Sequence, residues 1–127
     1  MRIKMELKTI RKFVQLYRSF DFGKLADVIM LDERLFGRSE PVKNSDDPHL
    51  NDSIRTMLGV EQMIWLSDQM KSSTAQWKII GNQVIFSYLN WGFPSWKVNM
   101  DSWDGYPAER KKNKHLIVDN AIENVVL

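Results

Sequence analysis

The 127-residue sequence contains no cysteine and only two histidines. The absence of cysteine excludes disulfides, thiolate metal sites and a cysteine nucleophile within these residues. His49 and His115 are both surrounded by polar residues, and we interpret each as a surface histidine. Sequence patterns of phosphate-binding loops, nucleophile elbows and zinc-binding helices are missing as well. The common short signatures of catalytic sites therefore do not identify a reaction.

Long apolar runs and a strong net charge are also missing. No stretch approaches the roughly 20 apolar residues of a membrane helix, and residues 1–9 lack the hydrophobic core of a signal peptide. The 18 basic and 16 acidic residues give a formal net charge of +2, which is too small for a dedicated nucleic-acid binder. We expect no membrane span and no nucleic-acid-specific binding.

Strand and helix patterns alternate along most of the chain. Of the residues, 43% are apolar and 27% are charged, as in an ordinary globular domain. The patterns predict a buried strand, an amphipathic helix, a second strand, a second helix and a terminal strand, at residues 25–31, 59–71, 77–80, 107–120 and 124–127. This order favours an α/β sheet with parallel crossover connections.

Further elements are predicted around this framework. Residues 12–20 favour another short strand, residues 37–56 a long exposed loop, and residues 84–86 a short extended piece. The predicted apolar face of the first helix consists of Val60, Met63, Ile64, Leu66 and Met70. We expect that face to pack on the sheet, with Gln62 pointing mostly away from it.

Residues 101–110 place two aspartates, two large aromatic residues, a turn and a helix start within ten positions. Asp101 and Asp104 are three residues apart, Tyr106 follows, and Pro107 stands at the expected first turn of a helix. On a turn, carboxylates at this spacing can converge on one cation. One of them can equally cap the helix or close an Asx-turn, and the spacing leaves both interpretations open.

Polar residues also follow two predicted strands, where ligands bind in open α/β sheets. Asp32 and Arg34 follow the first of these strands, and they can contact a ligand or simply pair with each other. Asn82 and Gln83 follow the second strand. Their amides can point at a phosphate or a metal, or the two residues can act only as turn formers.

Five segments carry a resemblance. The most specific is DSWDGYPAER at 101–110, and the others are YRSFDFG at 17–23, IMLDER at 29–34 with Gly37-Arg38, RTMLG at 55–59 with Gln62 and Trp65-Leu66, and WKIIGNQV at 77–84. In their order along the chain, these segments resemble the alkaline phosphatase D (PhoD-like) family of metallophosphatases. The segment DSWDGYPAER matches the family signature almost letter for letter. The resemblance covers nearly everything from residue 17 to residue 127.

The resemblance implies a partial metallophosphoesterase-type α/β sandwich (αββα), with a mixed sheet and flanking helices. It also implies hydrolysis of phosphate mono- or diesters at a multinuclear site of Ca²⁺ and Fe³⁺, in a family that is usually exported to the periplasm or the cell exterior. By the same resemblance, Asp104 is the first candidate for a metal ligand and Asp101 the second. Tyr106 would be the catalytic-site residue that lines the phosphate pocket.

The sequence also departs from the family pattern. Family members carry an Asp- and Cys-containing motif, a Gly-Asp segment and an Asp-Asp-His segment before the matched region, and a Gly-Asp-x-His segment after it. None of these is present. We therefore expect residues 1–127 to form a single partial catalytic domain, with a divergent N-terminal segment at 1–16. Because one remaining carboxylate cannot hold a binuclear site, the isolated chain is expected to be inactive. Without the neighbouring strands of the family fold, edges with unpaired amides and an apolar face would be left open, so we also expect the isolated chain to self-associate.

Two other functions are consistent with the sequence. The aromatic loop at 91–106 would suit a stand-alone small binding module for a sugar, a peptide or a protein partner. Alternatively, the chain is a subunit that completes a split active site with a partner that carries the missing ligands. The three hypotheses differ in whether a second polypeptide is needed for activity.

Overall fold

The structure is a computed structural model that describes residues 15–89, 92 and 98–127. In chain order, the elements of this part are β1 (Arg18–Asp21), β2 (Ala26–Met30), α1 (Gly59–Ser72), β3 (Trp77–Gly81), α2 (Pro107–Asp119) and β4 (Val125–Val126), with a 3₁₀ turn at Trp103–Gly105. The five framework elements predicted from the sequence are all present. β1 overlaps the short strand predicted at 12–20, of which residues 12–14 lie outside the described residues.

The four strands form one mixed sheet in the order β1-β2-β3-β4. β1 pairs antiparallel with β2 through a tight turn, in which the Asp21 carboxylate accepts the amide of Gly23 at 2.5 Å. β2, β3 and β4 run parallel. Parallel neighbours need long crossover connections, and α1 and α2 lie in them. The predicted α/β class, with a mixed sheet and flanking helices, is confirmed.

The two faces of the sheet differ in what covers them. Ile29 on β2 and Ile80 on β3 are register partners, are 1% and 6% exposed, and pack in one core with side chains of both helices. Side chains alternate between the two faces along a strand, so the next residue along each strand points away from this core. We call the face with Ile29 and Ile80 the inner face, and the face with Val28 and Ile79 the outer face.

α1 packs on the inner face through a stripe that only partly matches the predicted one, since Leu66 and Met70 are buried as predicted. Its buried residues are Gly59, Gln62, Leu66 and Met70, which follow helical spacing. Val60 and Ile64 are 74% and 58% exposed, so the prediction that they face the sheet was wrong. The helix is rotated because the Gln62 amide bonds buried backbone, donating to the carbonyls of Asp32 (2.8 Å) and Leu58 (3.1 Å).

A carboxylate from α2 accepts the backbone amides just before α1, whose N-cap residue Leu58 makes no side-chain cap hydrogen bond. Thr56 Oγ1 accepts the amide of Gly59, the first residue of the helix, at 2.6 Å. Glu109 is 4% exposed and accepts the amides of Met57 (2.5 Å) and Leu58 (3.1 Å) and the hydroxyl of Thr56 (2.6 Å). The first amides of a helix have no intrahelical acceptor, and a negative charge beside them is favourable. Glu109 therefore fixes α2 against the beginning of α1.

The described connections add no strand to the sheet. Residues 84–86, predicted as an extended piece, lie outside it, and the amide of Val84 donates to the Glu33 side chain at 2.8 Å instead. Residues 31–58 join β2 to α1 without helix or strand. Among the described residues, neither helix is long and apolar enough to cross a bilayer.

Two glycines permit a close approach between this connection and the start of α1. Gly37 and Gly59 have positive φ angles of 69° and 74°. A Cβ atom added to either would lie 2.8 Å from the Cα of the other. Any other residue at these positions therefore meets both a strained backbone conformation and a backbone clash.

We expect Gly59→Ala to lower the free energy of unfolding by about 2 to 4 kcal/mol, since conformational strain adds to overpacking. Gly23→Ala is the matched control, because Gly23 has a φ of 64° but no atom within 4 Å of an added Cβ. Its cost should be only about 1 to 2 kcal/mol. Urea denaturation measures both variants, and equal losses would contradict the close approach at Gly59.

Candidate functional site

The carboxyl end of β2 continues into polar residues that the surrounding backbone holds in place. Asp32 is 2% exposed, and its Oδ1 accepts the amides of Arg34 (3.1 Å) and Leu35 (2.9 Å). The amide of Asp32 donates to Gln62 Oε1 at 2.7 Å. The interpretation in which the side chains of Asp32 and Arg34 pair with each other is therefore wrong, because the Asp32 carboxylate turns the backbone instead.

Glu33 is completely buried and joins three segments of the chain. Its Oε2 accepts the amides of Gln83 (2.5 Å) and Val84 (2.8 Å), and its Oε1 accepts the indole N–H of Trp103 (2.6 Å). The Gln83 side chain in turn accepts the amide of Glu33 at 2.8 Å. Glu33 was not among the predicted site residues. The available signal was its position directly after a buried strand, where a carboxylate needs hydrogen-bond donors.

The environment of Glu33 acts on its pKa in two directions. The pKa of Glu33 lies above its ordinary value, because burial raises it by more than the hydrogen bonds from the Trp103 indole and the amides of Val84 and Gln83 lower it. Hydrogen bonds to the charged form of an acid favour that form. Since protein donors occupy both oxygens, Glu33 connects segments rather than acting as a free acid.

Asp101, the second predicted metal ligand, bridges two arginines. Its Oδ2 lies 2.5 Å from Arg34 Nη1, and its Oδ1 lies 2.6 Å from Arg38 Nη2. The hydrogen bond from Arg34, followed by those from Arg38, lowers the pKa of Asp101. The side chains of Asp101 and Arg34 are about half exposed, whereas that of Arg38 is 9% exposed. An ionised carboxylate thus fixes a guanidinium group at the surface beside the end of β2.

Tyr106, the residue predicted to line a phosphate pocket, is completely buried. Its hydroxyl donates to the carbonyl of Ser39 (2.5 Å) and accepts from Arg38 Nε (2.9 Å). The guanidinium carbons of Arg38 and Arg55 lie 5.2 and 5.0 Å from the centroid of its ring, within the range of cation–π attraction. In this arrangement Tyr106 supports Arg38, which holds Asp101.

Asp104, the first predicted metal ligand, is 5% exposed. Its Oδ1 pairs with Arg110 Nη1 at 2.5 Å, and its Oδ2 accepts the amide of Leu89 at 3.3 Å. α2 begins after Tyr106 without a side-chain cap, so Asp104 does not cap that helix. The structure places Asp101 and Asp104 on different arginines and does not bring them to one point.

The remaining predicted positions have separate outcomes. Asn82 follows β3, and both polar atoms of its side chain are buried without a hydrogen-bond partner among the described residues.

The loop predicted at 91–106 lies partly outside the described residues. Its described aromatic residues Trp103 and Tyr106 are 0% exposed, and Trp103 packs against Phe86 with ring centroids 5.2 Å apart. These two side chains therefore build the core rather than an exposed binding surface.

The described residues do not fit a multinuclear metal centre by themselves. Within residues 15–89, 92 and 98–127, no group of three or more His, Asp or Glu side chains could hold an ion. Hard cations such as Ca²⁺ need several oxygen ligands that converge. Asp101 and Asp104 are instead bonded to guanidinium groups, and Glu109 accepts backbone amides.

Three comparisons with known proteins agree on one family. The family model for PhoD-like phosphatases matches residues 3–127. Alkaline phosphatase D of Bacillus subtilis (strain 168) is 37% identical over 118 residues, which are 90% of this chain and 20% of the relative. A solved structure described as the structure of PhoD matches with a TM-score of 0.80 and 36% identity, over 88% of this chain and 22% of that chain. The chain thus spans about a fifth of the length of these relatives.

We expect Glu33→Gln to lower the free energy of unfolding by about 2 to 4 kcal/mol, because the new amide meets buried donors and leaves at least one without an acceptor. The exposed substitution Glu123→Gln is the control and should change stability by less than about 0.5 kcal/mol. Denaturant titration followed by tryptophan fluorescence measures both. A loss no larger than that of the control would contradict the connecting role of Glu33.

Proposed function

We propose that this chain, which belongs to the PhoD-like phosphatase family, serves the hydrolysis of phosphate mono- or diesters as a portion of a metal-dependent alkaline phosphatase or phosphodiesterase. The observation that carries the proposal is the family match over residues 3–127. The decapeptide at 101–110 supports it, because Asp101 contacts Arg34 just beyond the carboxyl end of β2, the edge where α/β sheets bind ligands.

In this proposal the chain supplies one wall of the site. Asp101 fixes the half-exposed guanidinium group of Arg34 through one carboxylate oxygen. Its other oxygen accepts a hydrogen bond from Arg38, whose side chain is largely buried. A guanidinium group in a fixed orientation can donate two hydrogen bonds to the oxygens of a phosphate ester. Arg34 would therefore orient an anionic substrate at the edge of the sheet.

The metal assignment remains a prediction. Ca²⁺ and Fe³⁺ are the ions expected for the family, and we propose that most of their ligands come from outside the described residues. Asp104 is our first choice for a ligand from this chain, with Asp101 second, and Tyr106 is the residue proposed beside the phosphate. In the described arrangement Asp104 pairs with Arg110, so binding a cation would require it to exchange that contact.

We further propose that the isolated chain is inactive and self-associates. Only one wall of a site is present in the described residues, and β1 and β4 are edge strands whose free backbone groups can pair with another chain. In this proposal, activity requires a partner subunit that supplies the missing ligands and completes a split site. The stand-alone binding module has no such support, because Trp103 and Tyr106 are buried.

The isolated chain is expected to show no metal-dependent hydrolysis of p-nitrophenyl phosphate when calcium and iron are supplied. The physical reason is that the described acids do not converge on an ion. Release of p-nitrophenol, compared with that by intact Bacillus subtilis alkaline phosphatase D under the same conditions, is the measurement. Robust turnover that disappears in Asp104→Ala would refute the proposal that the chain lacks a complete site.

A further inference from the structure

Two side-chain amides line one cavity between the helices and the inner face of the sheet. Asn82 lies directly after β3, and Asn113 lies in α2. The cavity has a volume of about 20 Å³, and its other lining side chains are aliphatic, thioether or aromatic, among them Ile80, Met70 and Trp103. The cavity is therefore a largely apolar space with two amide groups in its wall.

Neither amide has a partner in the described part of the chain. The Nδ2 and Oδ1 atoms of both side chains are buried without a hydrogen bond to any described residue, and Asn113 is 6% exposed. The indole N–H of Trp103 is not available to them, because it donates to Glu33. A buried amide without a partner costs free energy, and folded proteins satisfy such groups with ordered water where the polypeptide offers no partner.

The size and the chemistry of the cavity select its ligand. One water molecule needs about 10 to 15 Å³ of such space, so a cavity of about 20 Å³ has room for one. Water both donates and accepts hydrogen bonds, and each amide offers an acceptor oxygen and a donor nitrogen. A cation would find only two neutral amide oxygens in this wall, whereas hard cations such as Ca²⁺ take about six to eight oxygen ligands. Water is thus the ligand that fits.

We propose that this cavity binds one water molecule, which bridges the side-chain amides of Asn82 and Asn113. The water supplies both amides with the hydrogen bonds that the described residues do not offer, and it links α2 to the carboxyl end of β3. This water site is independent of the proposed function, because it involves neither a phosphate ester nor a metal ion.

The bridge holds the segment that binds Glu33. Gln83, the residue after Asn82, exchanges two hydrogen bonds with Glu33: its amide donates to the carboxylate (2.5 Å), and its side chain accepts the amide of Glu33 (2.8 Å). On α2, Asn113 and Glu109 are both buried and lie four residues apart, on the same face of the helix. Glu109 therefore joins α2 to the residues before α1, and the water joins α2 to the residue after β3.

Nuclear magnetic resonance of the full chain, labelled with ¹⁵N at asparagine, tests the water site by measuring magnetisation transfer from water to the side-chain NH₂ groups. A water held in a cavity tumbles with the protein and gives cross-peaks of the sign typical of slow motion, whereas surface water exchanges too fast to do so. We expect slow-water cross-peaks at both Asn82 and Asn113. The matched control is Asn120, which is exposed just after α2 and donates to the carbonyl of Leu116 at 2.9 Å. Its NH₂ group should show no slow-water cross-peak.

A variant separates a bridging water from a water held by one amide alone. Asn113→Leu removes one of the two amides, so it should abolish the slow-water cross-peak at Asn82. Lys114→Leu, at an exposed position of the same helix, is the control and should leave that cross-peak unchanged. Circular dichroism shows whether each variant remains folded. If Asn113→Leu does not fold, Asn82→Leu provides the decision through the same loss at the NH₂ group of Asn113.

Each outcome decides the proposal. Slow-water cross-peaks at both amides, lost at the remaining amide when the other is replaced by leucine, support the bridge. The absence of such a cross-peak at either amide of the unaltered chain would overturn it. So would a cross-peak at Asn82 that persists in a folded Asn113→Leu variant.

Discussion

The buried carboxylate of Glu33 is the interaction on which the arrangement of the sheet edge depends. It binds two backbone amides after β3 and the indole of Trp103, while its own backbone continues β2. Three segments that are far apart in sequence therefore meet at one side chain. A buried carboxylate is stable only when its oxygens have donors, so the position of each segment constrains the other two. The hydrogen bond from the Trp103 indole to Glu33 holds the 3₁₀ turn that carries Asp104 at the sheet edge.

The other acids of the region act in the same manner. Glu109 accepts the amides just before α1, Asp101 holds two arginines, and Asp104 pairs with Arg110. Acids that bind guanidinium groups and amides position loops, and they leave an exposed arginine at the carboxyl edge rather than an exposed cluster of carboxylates. This explains why the described part of a chain with a phosphatase signature has no cluster of acids that could hold an ion.

The sequence predicts the framework well because strands and helices follow from local periodicity, and the decapeptide identifies the family. It predicts contacts between distant residues poorly. Asp101 and Asp104 are close in sequence, yet Asp101 pairs with Arg34 and Arg38 and Asp104 pairs with Arg110. Arg34 lies 67 residues before its partner Asp101. The rotation of α1 also depends on a distant partner, since Gln62 is buried to bond the backbone of Asp32. The polarity of Gln62 predicts a surface position. It is buried because its side chain makes hydrogen bonds to backbone groups that are distant in sequence.

Metal binding by the isolated chain tests most directly whether its acids connect loops instead of forming a complete ion site. Equilibrium dialysis against calcium and iron, with the bound metal measured by mass spectrometry, gives the number of ions per chain. The account predicts no stoichiometric binding, with the same result for the unaltered chain and for Asp104→Asn. One tightly bound ion per chain that is lost in Asp104→Asn would contradict it.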